Sequence, residues 1–178
     1  NPNDPNCHAY DDLLPATIYI PTSGTQKQKL VAHNEATLVF SALNLHPEFA
    51  LDHLSTYALS LPLHHISGLM IVLRSILHKG LIALKDSEHY QRATHISLCT
   101  NQLLKILDIN HYPNLKALLL GGGPLNYTTL KKAHTLGYPI FTTYGMSEMA
   151  SQITTAKFDP NKPLSMGHPL KGRHLKLC

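Results

Sequence analysis

The chain has 178 residues, 43% hydrophobic and 15% charged, enough for one domain with a substantial core and too few to require a second. Fifteen Lys and Arg against eleven Asp and Glu give a mild charge of +4, and the basic residues are scattered rather than striped, which argues against a nucleic-acid partner. No apolar run approaches the roughly 20 residues that a membrane span needs. Cys7, Cys99 and Cys178 lie far apart, which fits reduced thiols in the cytoplasm rather than a disulfide framework. Thirteen histidines come with neither an HExxH pattern nor a Cys-x-x-Cys companion, so they do not indicate a zinc site.

Residues 1–15 carry turn chemistry (Pro2, Asp4, Pro5, Asp11, Asp12) and read as a leader or linker to a domain over 16–178. The polar start without Met, and an end at Leu177-Cys178 in a strand-like run, lead us to expect a fragment of a longer chain. Residues 16–20 are β-branched and aromatic, hence a strand. It breaks at Pro21 into Thr22-Ser23-Gly24-Thr25-Gln26-Lys27-Gln28-Lys29, and residues 30–33 are apolar again. Asn34 is placed to cap a helix starting near Glu35, with Leu38, Val39, Leu43 and Leu45 as its apolar side. A strand is expected over 57–61. Pro62-Leu63-His64-His65-Ile66-Ser67-Gly68 follows, then an apolar helix over 69–77 whose one charge is Arg74. Strands over 81–84 and 95–99 precede a helix over 101–107.

Residues 116–155 organise the rest. Two short apolar runs, 117–120 and 139–142, have the length of buried strands, and each ends in a glycine-bearing turn. The first turn is Gly121-Gly122-Gly123-Pro124; the second is Tyr144-Gly145-Met146-Ser147-Glu148. Between them, residues 125–137 read as a helix stopped by Gly137. Strand, helix, strand is a parallel crossover, so both turns fall at the carboxyl edge of the sheet, where open α/β folds bind ligands. One turn offers bare backbone and the other a hydroxyl, a phenol and a carboxylate, which suits a nucleotide. Beyond a polar turn (Asp159-Pro160-Asn161-Lys162-Pro163) and Gly167-His168-Pro169-Leu170-Lys171-Gly172-Arg173, a last strand is expected. Strands alternating with helices predict an α/β fold with a largely parallel sheet flanked by helices.

The loop at 22–29 has hydroxyls and a glycine straight after a strand, closed by lysines, a composition suited to a polyphosphate. It is not a Walker loop, since GxxxxGK[ST] is absent. In isolation a polar surface turn is the commoner reading of such a stretch; its place after a strand and the two later glycine turns favour phosphate.

Three stretches together resemble the acyl-adenylate-forming enzymes, the superfamily of acyl-CoA synthetases, luciferases and peptide-synthetase adenylation domains. Thr22-Ser23-Gly24-Thr25 with Lys29 resembles that family's T-S-G-[ST]-T-G-x-P-K loop, Gly121-Gly122-Gly123-Pro124-Leu125 its GGAPL segment, and Tyr144-Gly145-Met146-Ser147-Glu148 its YG-x-[TS]-E signature. Within the superfamily the chain is similar to the o-succinylbenzoate–CoA ligases of menaquinone biosynthesis. Residues 61–68 look like their LPLFHVSG with an arginine downstream at Arg74, Ser147-Glu148-Met149-Ala150-Ser151 like their TE-x-AS, and residues 167–173 like their GxPLPGR.

The resemblance implies the core of the large N-terminal domain of an adenylate-forming enzyme. Such a ligase joins a carboxylic acid to ATP with Mg²⁺, then passes the acyl group to CoA. It implies Thr22, Ser23, Gly24, Thr25 and Lys29 around the β and γ phosphates, and adenine on Gly121, Gly122, Gly123 and Pro124. Tyr144, Gly145 and Met146 would wall the nucleotide, Ser147 meet the α-phosphate and Glu148 hold Mg²⁺. His65 would stand where acyl and adenylate groups join, Arg74 at the acid's second carboxylate and His168 near the acyl site. Arg74 could instead pair with a buried carboxylate or snorkel to the surface, and His65 could be a core histidine. The likeness departs at the loop, where Gln26-Lys27-Gln28 replaces T-G-x-P and reaching the lysine needs a one-residue deletion. The family's ribose-binding aspartate, hinge and lysine-bearing C-terminal domain have no counterpart in this chain, so we expect it to make little acyl-CoA alone. Alternatives are another acyl- or aryl-CoA synthetase and a catalytically idle nucleotide-binding homologue. A dinucleotide oxidoreductase fits worse, since no GxGxxG follows the first strand.

Overall fold

The computed structural model describes residues 17–22, 29–109 and 112–176, with backbone alone at 108 and 109. The leader at 1–15, Ser23, Gly24 and Thr25, and Cys7 and Cys178 lie outside the described residues. Two aliphatic runs build the centre of the main sheet: the first four residues of both His95–Cys99 and Ala117–Gly121 are buried, as strands covered on both faces require. In chain order the elements are β1 (Ile18–Pro21), β2 (Leu30–His33), α1 (Glu35–Leu43), β3 (Thr56–Ala58), α2 (Ile66–Leu77), β4 (Leu81–Ala83), β5 (His95–Cys99) and α3 (Thr100–Ile109). Then follow β6 (Ala117–Gly121), α4 (Tyr127–Thr135), β7 (Ile140–Met146), β8 (Ser151–Lys157) and β9 (His168–Pro169).

β1 and β2 form a separate antiparallel hairpin, with Ile18 opposite His33 and Pro21 opposite Leu30. The other strands make one seven-stranded sheet in the order β4-β3-β5-β6-β7-β8-β9. It is parallel from β4 to β7, and β8 and β9 extend it antiparallel. Alternation along β6 splits the core in two. Leu118 and Leu120 pack with Leu103 of α3 and Leu130 of α4, whereas Ala117 and Leu119 pack with Phe49, Tyr57 and Ile71 of α2. A third cluster, Ile20, Leu38, Ala42, Ile66, Met70 and Ala150, ties β1 and α1 to the start of α2.

Most expected elements are present, with instructive differences. Asn34 caps α1, its side-chain oxygen accepting from Thr37 N–H at 2.9 Å. The buried face of that helix is Leu38, Ser41 and Ala42, while Leu43 is exposed. α2 begins at Ile66 rather than 69, because Ser67 and Gly68 fit its first turn. A Cβ on Gly68 would lie 2.1 Å from the Pro62 carbonyl oxygen. Gly137, at φ +87°, follows the end of α4 as expected. β7 does not turn at Tyr144: it runs on through Gly145 and Met146, and the turn is a single 3-10 turn at Ser147–Met149. β8 was not anticipated at all. The expected last strand does not form over 173–176, and the final strand is the two-residue β9.

Candidate active site

The carboxyl ends of β5, β6 and β7, the first turn of α2 and the start of β8 enclose a cavity of about 520 Å³. Gly121 and Gly122 line it. At Gly121 a Cβ would meet Thr143 Cγ2 at 2.7 Å, so glycine lets β6 and β7 close up here. Gly122, at φ +75°, turns a bare backbone toward the space. Gly123 and Pro124 are exposed and lie beyond the lining.

Arg74 also lines the cavity, 1% exposed on a helix that carries no other charge. Its Nη2 donates to Gln152 Oε1 at 2.6 Å, and its buried Nε has no partner. Among the described residues no carboxylate pairs with it. Burial pushes the guanidinium below its usual pKa, and the adjacent phenol of Tyr57 opposes that. The Tyr57 hydroxyl is itself bonded to Ser97 Oγ at 2.6 Å, and Ser97 lines the cavity. An uncompensated buried cation costs several kcal/mol of desolvation. The cavity in front of Arg74 is therefore electrostatically suited to an anionic group.

The tip of the β7–β8 hairpin carries Ser147 and Glu148. His33 Nε2 donates to the Ser147 carbonyl oxygen at 2.8 Å, and the Ser41 hydroxyl donates to the carbonyl of Ala150. β2 and α1 thus clamp the tip. Ser147 lines the cavity. Glu148 is exposed in the neighbouring groove beside His33 and Arg173, and its carboxylate makes no hydrogen bond or ion pair among the described residues. A free carboxylate is a hard oxygen donor of the kind Mg²⁺ takes, so the residue fits the ion. No group of three or more His, Cys, Asp or Glu able to hold a metal occurs among the described residues.

His65 is half-buried at the start of α2, lines the cavity, and has its ring centroid 4.2 Å from that of exposed His64. Gly145 and Met146 also line it, but Tyr144 does not and is 46% exposed. At the phosphate loop only the ends are described. Thr22 N–H donates to the Lys29 carbonyl at 2.8 Å, and Lys29 N–H to Thr22 Oγ1 at 3.1 Å, closing the loop at its base. His168 is exposed on β9 opposite Thr155, and the structure does not bring it to the cavity.

Sequence reading missed Gln152, Ser97, Thr143, Tyr57 and His33. For the first four the one signal was polarity inside strands that are otherwise largely buried; His33 is the buried residue of a strand that is otherwise exposed or half-buried, and nothing local marks it. His95, by contrast, is a core histidine. Its Nε2 donates to the Phe49 carbonyl at 2.8 Å, which leaves Nδ1 to accept from the Thr94 hydroxyl at 2.8 Å, and burial lowers its pKa.

A mixed α/β sheet whose strand ends enclose bare glycine backbone and a hydroxyl-bearing hairpin tip defines a nucleotide-binding domain. The profile of the AMP-binding enzyme family matches residues 15–178, and the chain belongs to that family, the acyl-adenylate-forming enzymes. It is 32% identical over 175 residues to the 2-succinylbenzoate–CoA ligase of Bacillus pumilus, covering 91% of this chain and 36% of that protein. A variant of E. coli MenE with bound OSB-AMS is similar in structure, with a TM-score of 0.80 at 28% identity over 93% of this chain and 38% of that one. The o-succinylbenzoate coenzyme A synthetase (MenE) of Bacillus subtilis in complex with ATP and magnesium ion gives a TM-score of 0.73 at 29% identity, over 86% and 35%. The chain spans little more than a third of the length of these proteins. No helix among the described residues is long and apolar enough to cross a membrane.

Proposed function

We propose that the chain forms the nucleotide- and acid-binding core of an AMP-forming acid–CoA ligase that acts on 2-succinylbenzoate. In the first step a carboxylate oxygen of the acid bonds to the α-phosphorus of ATP and the bond to pyrophosphate breaks. In the second, the CoA thiol bonds to the acyl carbon, its proton is lost and AMP leaves. Backbone at Gly121 and Gly122 receives the adenine, with Gly123 and Pro124 beyond it and Tyr144, Gly145 and Met146 along the nucleotide. The Ser147 hydroxyl donates to the α-phosphate. Thr22, Ser23, Gly24, Thr25 and Lys29 take the outer phosphates. Glu148 would hold Mg²⁺, which when bound would supply charge neutralisation for the departing pyrophosphate. His65 stands beside the reacting carboxylate; His168, exposed on β9 away from the cavity, is given no part. Arg74 receives the acid's second carboxylate.

The observation that carries this reading is Arg74: a buried guanidinium with no carboxylate partner among the described residues, facing a cavity of about 520 Å³. The names of the relatives, which include 2-succinylbenzoate–CoA ligase and an ATP–magnesium complex, support the same assignment. Calorimetry with ATP and with a nonhydrolysable o-succinylbenzoyl-AMP analogue tests it. The analogue should bind the chain, and Arg74→Ala and Glu148→Ala should weaken binding at least about tenfold. The substituted loop, Gln26-Lys27-Gln28, favours a second reading as a catalytically idle nucleotide-binding homologue. Binding of ATP without the analogue would favour that one, failure to bind either would mark the site as a relic, and tight binding of a different acyl adenylate would favour another acyl- or aryl-CoA synthetase.

A further inference from the structure

Gln152 shares the cavity wall with Arg74 and is 4% exposed. Its amide is locked in one orientation. Thr143 Oγ1 donates to the Thr154 carbonyl at 2.7 Å and Thr155 Oγ1 to the same carbonyl at 2.8 Å, so both hydroxyl protons are spent. Those two oxygens can then only accept, and Gln152 Nε2 donates to them at 3.3 and 2.8 Å. The amide oxygen is thereby turned toward Arg74, where it accepts from Nη2 at 2.6 Å. A carboxylate at this position would hold the guanidinium equally well and would also cancel its charge. The neutral amide holds it and leaves the charge free.

We propose that Gln152 is the specificity-determining positioning residue of the acid site: it orients the Arg74 guanidinium through a neutral oxygen, so that the uncompensated charge selects acids bearing a second anionic group. This rests on the reading of Arg74 given above. Gln152 acts through Arg74. Its consequence is a preference between acids rather than a general gain in binding.

Two matched acids separate the possibilities: 2-succinylbenzoate, and 4-oxo-4-phenylbutanoate, the same skeleton without the ring carboxylate. Binding of each to the full chain is measured by calorimetry, with folding checked by circular dichroism. The unmodified chain should prefer the dicarboxylate. In Gln152→Glu the preference should fall at least about tenfold, because Arg74 now pairs internally. Thr143 and Thr155 must turn their protons onto the new carboxylate, which could unsettle the fold. Gln152→Leu is therefore the companion variant. It keeps the charge and loses the anchor, so dicarboxylate binding should weaken several-fold while that of the monocarboxylate holds within about twofold. A chain that binds both acids alike, or neither, overturns the Arg74 reading and this inference with it. A dicarboxylate preference unchanged in folded Gln152→Glu, or an equal loss for both acids in Gln152→Leu, overturns this inference alone.

Discussion

Arg74→Met tests whether the buried cation is a cost the fold carries for its ligand. Arg74 is 1% exposed, donates one hydrogen bond to Gln152 and has an unpartnered Nε. Its desolvation costs several kcal/mol. Against that stand one charge-assisted hydrogen bond, worth about 1.5–3 kcal/mol, and the dipole of Tyr57. Methionine fills much of the same volume with no charge, at the expense of leaving the Gln152 oxygen without its donor, about 1 kcal/mol. The balance predicts a net gain of about 1–2 kcal/mol, or roughly 3–6 °C in Tm for a domain of this size. Urea unfolding of the two chains measures the first quantity and a thermal melt the second. Dicarboxylate binding should fall about tenfold to a hundredfold in the same variant. A variant destabilised by more than about 2 kcal/mol would refute the reasoning, since it would mean that the surrounding residues compensate the charge.

Three further outcomes follow from the packing. Gly68→Ala should cost about 2–3 kcal/mol by urea unfolding, because the new methyl would meet the backbone oxygen of Pro62 at 2.1 Å and backbone cannot swing aside. Asn34→Ala should cost about 1 kcal/mol and leave Thr37 N–H without its cap, read as a lower denaturation midpoint and faster hydrogen exchange in α1. His95 gives a pH signature. Its folded pKa lies below the ordinary value of about 6.5, so the unfolded chain takes up the proton first. Stability from this group is complete above about pH 6.5 and is lost as pH falls toward the folded value. Denaturation midpoints between pH 7.5 and 5.5 should show that decline, and His95→Gln should flatten it; an unchanged slope would remove His95 as its source.

What the sequence disclosed follows from what local chemistry can carry. The strands at 95–99 and 117–121 were legible because a strand buried on both faces must be aliphatic almost throughout. Ser151–Lys157 escaped for the opposite reason. It is rich in hydroxyls, its first five residues are buried, and the bonds that make such burial tolerable are not visible in the local pattern. Thr154 Oγ1 donates to the Met166 carbonyl at 2.6 Å, and Thr155 Oγ1 to that of Thr154 at 2.8 Å. Ser147 stands out in the sequence because it sits in a run of fixed spacing, and it lines the cavity. Gln152 does not, because nothing local marks it: its meaning comes from a guanidinium 78 positions away. The end of β7 was misjudged since Gly145 reads as a turn residue. It is glycine because Ser151 O would stand 2.1 Å from its Cβ, at a shift in strand register.

The β7–β8 hairpin also bears on the order in which the parts of the site can assemble. β7 and β8 are joined across residues 147–150 alone, whereas every parallel neighbour in the sheet is reached by a crossover. Closing a short loop sacrifices little chain entropy, and long closures must be completed before their contacts reward them. Ser147 and Glu148 thus sit on the part of the sheet whose pairing is available earliest. The surroundings of Arg74 wait for β3 to meet β5, with Tyr57 alongside His95, and for β8 to arrive with Gln152. A chain caught midway in folding would carry a formed hairpin tip and an unfinished anion pocket.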